Sequence, residues 1–203
     1  MSSRDLILSR VRNALAPLPK RAPLPNWDGD LVVLREAHGD VDRWTLFSER
    51  MTAVNGRPLS TIAELVAYLI EHNSLNGYCD PKLWPSLQSA FPAQFNVATE
   101  FDRTRVDDFQ FGITAALGAI AETGTIILSD SSTSRRLGAL APWIHIAVVR
   151  RSTIFLDLPA AVSSMPNDPN IIWCTGPSKT ADVEGILIEG VHGPGIQIAL
   201  LAD

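Results

Sequence analysis

Cysteine is scarce in this chain: Cys79 and Cys174 are the only two, far apart, and no C-x-x-C spacing occurs. An iron–sulfur cluster or a cysteine-rich zinc site needs a clustered set of thiolates, so neither can be assembled from this chain alone. Free thiols fit a reducing compartment, and a cytoplasmic setting is expected. Charge is sparse as well. Charged residues make up 19% of the chain, and 22 acids against 17 bases leave a net charge of −5. That balance opposes general attraction to nucleic acid or to an acidic membrane surface. Long hydrophobic runs are absent: nothing approaches the roughly 18 apolar residues of a membrane span, and no signal-like apolar core stands near the start. Several catalytic signatures are missing too. Gly176-Pro-Ser-Lys-Thr180 has no glycine directly before Lys179, which excludes a phosphate loop of the nucleotide-hydrolysing type. Ser178 lies outside any G-x-S-x-G elbow. With four histidines and no H-E-x-x-H, no metal and no bound cofactor are expected.

What is present suits a folded α/β protein. The apolar fraction of 46% over 203 residues allows one domain of ordinary size with a substantial core. Leu6, Ile7, Val11 and Leu15 fall on one face of a short amphipathic helix, with Arg4, Arg10 and Arg12 elsewhere. Pro17, Pro19, Pro23 and Pro25 then forbid continuation of that helix and predict an extended linker. The expected division is residues 1–26 as helix and proline-rich linker, and 27–203 as an α/β domain. The helix is expected either to fray or to dock elsewhere, a neighbouring subunit of a homo-oligomer included.

Within the main domain, helices are predicted over 42–54 and 61–72, the second opened by a Thr61/Glu64 capping box. Strands follow at 74–80, 94–99, 143–149 and 170–175, with helices at 81–90 and 157–162. Strands alternating with helices predict a mostly parallel sheet. Arg103 and Arg105 sit in a polar connection and read as a solvated loop.

Two stretches carry chemistry. Residues 111–129 contain a single charge, Glu122, in a Glu122-Thr-Gly124 turn between two apolar segments. A carboxylate there loses solvation, so it is either chemically useful or structurally paired. Gly124 suits a tight turn or close approach of a ligand. The second stretch runs from Gly176 to Gly195. Its polar turn, just past an apolar strand, offers backbone amides and the Ser178 and Thr180 hydroxyls, with Lys179, for an anion. In an α/β sheet the carboxyl end of a strand is where ligands bind. Asp182, Glu184 and His192 add groups able to move protons. Arg135 or Arg136, after a polar turn, can clamp a carboxylate or phosphate. His145, between Ile144 and Ile146, is either a satisfied core residue or a proton carrier.

The ordered combination Gly112-Ile-Thr114, Ala121-Glu-Thr-Gly-Thr125, Pro142-Trp-Ile-His145, Gly176-Pro-Ser-Lys-Thr-Ala-Asp-Val-Glu184 and Gly190-Val-His-Gly-Pro194 resembles the LUD-domain family, in its lactate utilization C (LutC-like) branch, over roughly residues 40–203. The resemblance implies a three-layer α/β fold with a mostly parallel sheet and flanking helices, related to the ribose-5-phosphate isomerase, glucosamine-6-phosphate deaminase and CoA-transferase group. It also implies a bacterial cytoplasmic accessory protein working with iron–sulfur partner proteins in the oxidation of L-lactate to pyruvate. Some CoA transferases of that fold group use a glutamate nucleophile, which invites comparison with Glu122. The alternative expectation is a stand-alone enzyme or binder for a small anionic metabolite: an organic acid, a sugar phosphate or a CoA ester. On either view the candidate catalytic residues are Glu122, His145 and Asp182. The candidate binding residues are Gly124, Arg136, Gly176, Ser178, Thr180 and His192.

Overall fold

The structure, a computed structural model, describes residues 2–17, 41–130, 136–168, 170–181 and 186–202. The chain divides into two units, Met1–Ala37 and His38–Asp203. In the first, helix α1 (Ser3–Leu15) opens on a capping box: the Asp5 amide donates to Ser2 Oγ at 3.2 Å, and the Ser2 amide donates to Asp5 Oδ2 at 3.0 Å. Leu6, Ile7, Val11 and Leu15 are all exposed. Capping rather than burial is what holds this helix. The proline-rich linker lies outside the described residues.

The second unit is α/β, as its alternating pattern predicts. Six strands, β1 (Arg57–Leu59), β2 (Asn76–Cys79), β3 (Asn96–Ala98), β4 (Phe111–Ala115), β7 (Ile144–Arg150) and β12 (Ile196–Ala202), form a sheet in the order β1-β12-β7-β4-β2-β3, and every pairing is parallel. Period-2 alternation sends successive side chains to opposite faces. Ile144, Ile146, Val148, Ile198 and Leu200 pack with Leu65 and Leu69 of helix α3 (Ile62–Glu71) and Leu87 of helix α4 (Trp84–Leu87). Ala147, Val149 and Ala199 point the other way, onto Trp44, Phe47 and Met51 of helix α2 (Arg43–Ala53). Phe47 and Met51 are fully buried, each worth about 2 kcal/mol against an exposed position. The predicted capping box is present at α3, where the Glu64 amide donates to Thr61 Oγ1 at 3.2 Å and Glu64 Oε2 accepts from the Thr61 amide at 3.1 Å.

A second sheet covers the α2 side of the first. It comprises β5 (Gly118–Ile120), β6 (Thr125–Ser129), β8 (Ile154–Phe155) and β9 (Ile171–Cys174) in the order β8-β5-β6-β9, with antiparallel β5/β6 and β6/β9 pairs and a parallel β5/β8 pair. Ala119, Ile126 and Leu128 join the α2 core. Ile120 and Ile127 face outward onto Ala161 of helix α6 (Leu158–Ser164). The mostly parallel expectation holds for the first sheet, and this second, largely antiparallel sheet stands beside it. The apolar halves of 111–129 belong to different sheets: β4 lies in the parallel one, and β5 with β6 makes a hairpin around the Glu122-Thr-Gly124 turn. The strand before Gly176 is β9, so it is an antiparallel strand of the small sheet rather than a member of the parallel one. A two-stranded antiparallel hairpin, β10 (Lys179–Ala181) with β11 (Leu187–Glu189), completes the chain's strands among the described residues. Arg103–Asp108 form a short 3-10 segment, with Arg105 Nε 2.8 Å from Asp108 Oδ2 on the surface.

Candidate functional site

Register brings three of the sequence blocks onto one row. Gly112 of β4, His145 of β7 and Gln197 of β12 are direct partners across the parallel sheet, on the face that looks toward the second sheet. His145 is fully buried. Its Nε2 lies 2.8 Å from Thr114 Oγ1 and its Nδ1 lies 3.0 Å from Gln197 Oε1. An amide oxygen only accepts, so Nδ1 carries the proton and Nε2 accepts from the threonine hydroxyl. Burial lowers the imidazole pKa to about 4, against a smaller upward pull from the Gln197 hydrogen bond, and the ring is neutral. Gly112 leaves the space this row needs at helix α5 (Arg136–Leu140), because a Cβ there would stand 2.0 Å from the Gly138 carbonyl oxygen.

Above Gln197 lies an open cleft of about 440 Å³. Leu140, Ile172, Trp173, Cys174, Pro177 and Pro194 make its apolar wall, and Thr175, Gly176, Ser178, Lys179, His192 and Gln197 its polar part. It opens at the amino end of β12. The Gly176 turn does follow the carboxyl end of its strand, β9, as expected, but β9 runs in the second sheet, so the cleft is not at the carboxyl edge of the parallel one. The two walls are stitched together by backbone: the Ser178 amide donates to the Pro194 carbonyl at 2.9 Å, and the Gly190 amide donates to the Ser178 carbonyl at 2.8 Å. Gly176 has φ +75°, and a Cβ there would stand 2.2 Å from the Val54 carbonyl oxygen. This turn needs glycine for both conformation and space. Cys174 presents a thiol, since burial pushes its pKa up to about 11.

Gly176, Ser178 and His192 thus converge on the cleft, and His145 sits beneath it behind Gln197. The other candidates lie elsewhere. Glu122 Oε1 accepts from the Leu158 amide at 2.9 Å and so caps α6, beside Asp157, which accepts from the Ala160 amide at 2.8 Å. Gly124, at φ +65°, leaves room for helix α2, since a Cβ would stand 2.3 Å from the Met51 amide nitrogen. The Glu122 turn still reaches the cleft indirectly, through a hydroxyl chain in which Thr123 Oγ1 is 2.7 Å from Thr125 Oγ1 and Thr125 Oγ1 is 2.8 Å from Thr175 Oγ1. Arg136 is paired with Asp130 at 2.8 Å, and Arg135 lies outside the described residues. Thr180 is in the β10/β11 hairpin, 3.5 Å from the Ile188 carbonyl oxygen. Asp182 and Glu184 lie outside the described residues. Among the described residues no group of three or more His, Cys, Asp or Glu side chains stands close enough to hold a metal ion, and no helix is long and apolar enough to cross a membrane.

Lys179, although it lines the cleft, has its ammonium engaged at the end of α2 and on β11. Its Nζ donates to the Val54 carbonyl at 3.2 Å and pairs with Glu189 at 3.5 Å. Glu189 is held below the usual carboxylate range, first by the Asn55 side-chain amide and then by Lys179. Gln197 escaped the sequence reading, and Thr114 entered it only within the Gly112-Ile-Thr114 block. Their signal was the one also given by His145: a polar residue inside an apolar strand.

The LUD domain profile matches residues 65–201, a span that encloses the buried row and the whole cleft. The chain belongs to the LUD domain family. The lactate utilization protein C of Deinococcus radiodurans is 39% identical to this LUD domain over 87 residues, covering 40% of this chain and 41% of that protein. The protein of the same name from Bacillus licheniformis is 35% identical over 98 residues, covering 44% and 41%. The match thus spans about two fifths of these relatives' length. A solved structure of a DUF162 family protein from Deinococcus radiodurans superposes with a TM-score of 0.57 at 22% identity, covering 79% of this chain and 96% of that one. That likeness shows the LUD domain's fold.

Proposed function

We propose that this LUD domain protein serves lactate utilization, as an accessory component in the cytoplasm that works with iron–sulfur partner proteins in oxidising L-lactate to pyruvate. The observation that carries the reading is the family match over residues 65–201, joined to relatives named lactate utilization protein C. Two cysteines far apart give this chain no cluster ligands of its own, which suits a member that leaves electron transfer to others. In this reading the cleft holds a small organic acid or its ester, with Ser178 and His192 at the mouth. The test is deletion of the gene followed by growth on L-lactate, with affinity purification of the tagged protein. Loss of growth on L-lactate alone, together with recovery of iron–sulfur proteins, is expected. Normal growth with no such association would remove the reading.

A second reading is favoured by the cleft itself: a stand-alone enzyme or binder for a small anionic metabolite. Walls of apolar side chains with a few convergent polar groups are the usual makeup of a ligand site. Growth on L-lactate that is unchanged by deletion, with a melting point raised by an organic acid, a sugar phosphate or a CoA ester, would select it.

A further inference from the structure

Gln197 is 2% exposed and yet lines the cleft. Its Oε1 is occupied by His145. Its Nε2 has two hydrogens, and the one recorded bond among the described residues is a long one, 3.4 Å to the carbonyl of the adjacent Ile198, beyond the usual range of about 2.7–3.2 Å. Reversing the amide would set its oxygen against that carbonyl, so the Ile198 side favours the orientation in which nitrogen faces it. A buried amide donor with unspent capacity is costly unless something completes it.

We propose that Gln197 reads the ligand at the floor of the cleft, its amide nitrogen donating to a carbonyl or hydroxyl oxygen of an organic acid or ester, in the orientation that His145 imposes. The assignment rests on the reading of the cleft as a ligand site. A neutral donor at the floor favours a neutral acceptor there, since among the described residues the lysine that lines the cleft, Lys179, has its ammonium engaged by the Val54 carbonyl and Glu189. The ligand's carboxylate or other charged end then lies toward the open mouth, by Ser178 and His192, where water still solvates it. Ile172, Trp173 and Pro194 cover the apolar body between the two ends. His145 acts as a positioning residue, buried behind the glutamine and sealed from the cleft by it, with its second nitrogen satisfied by Thr114.

The test is calorimetric titration of the full chain with L-lactate, pyruvate and acetyl-CoA, beside the side-chain amide signals of Gln197 in a nitrogen-15 spectrum, assigned by their loss in Gln197→Met. At least one probe is expected to bind and to shift those signals. Its Kd should rise about tenfold or more in Gln197→Met, which keeps the side chain's length and removes both its donor and the acceptor of His145, while circular dichroism stays as in the parent and unfolding, though at lower stability, remains cooperative. His145→Asn should move the free Gln197 signals and weaken the same probe. Binding that is equally tight in Gln197→Met overturns the assignment, and so does failure of all three probes to bind the parent chain. Either failure leaves the growth and association test of the accessory role standing on its own.

Discussion

His145 and Gln197 are partners across the β7/β12 pair, joined at 3.0 Å from Nδ1 to Oε1 with no solvent exposure of the histidine. The pair couples the stability of the sheet to the proton occupancy of a single ring.

Acid should expose that coupling. The folded imidazole titrates near 4, below the ordinary value of about 6.5. As pH falls the unfolded chain takes up the proton first, so the stabilisation is complete above about pH 6.5 and is lost on the way down to about 4, amounting to about 3 kcal/mol. Urea unfolding at pH 7.5, 5.5 and 4.5 checks this, with His145→Gln as the reference that lacks the titration. A parent and variant whose stabilities fall in parallel would show that another group is responsible.

The glycines at the two turns should be irreplaceable for the fold. Gly124→Ala and Gly176→Ala each force a side chain into positive φ and into the backbone of α2 or its C-cap, and each should cost at least about 2 kcal/mol. Gly193→Ala meets nothing closer than Ser178 Cβ at 3.2 Å and should cost less than about 1 kcal/mol. Thermal unfolding of the three variants ranks them, and equal losses would contradict the geometry.

Glu122→Gln distinguishes a cap from a reacting group. The carboxylate accepts from the first amide of α6, so the variant should lose about 1 kcal/mol of stability and retain whatever activity or binding the parent has. Full stability with lost function would instead give Glu122 a chemical role.

Lys179→Met should loosen the β10/β11 hairpin. The lysine ties β10 to the end of α2 and to Glu189 of β11, so amide exchange at Thr180 and Ile188 should quicken while core strands stay protected. Added salt should narrow the difference between parent and variant. Identical exchange would show that the cross-strand backbone bonds alone hold the hairpin.

Elements with strong local signals were legible in the chain. The Thr61/Glu64 box and the apolar face of Leu65, Val66 and Leu69 announce α3, and Ile144–Val149 announces β7. The second sheet was not legible, because short apolar strands such as β5 and β6 look the same whether they pair parallel or antiparallel, and only their tertiary partners decide. The cleft was half legible. Gly176, Ser178 and His192 lie in one stretch of chain and meet there, but its floor depends on register: Gln197 reaches His145 only because β12 pairs with β7 at that offset. Glu122 drew attention as an isolated carboxylate, and spacing alone could not reveal that a helix beginning 36 residues later supplies its donor.

The last turn of α2 touches both glycine turns, with Arg50 and Met51 against Gly124 and Val54 against Gly176, while the Thr123–Thr125–Thr175 hydroxyls link the same turns from the other side. That helix end is a common footing, so the Glu122 hairpin and the cleft rim cannot shift independently. Substitutions at Arg50 to Val54, a stretch with no glycine and no polar side chain lining the cleft, should therefore behave in genetic screens like lesions of the cleft itself.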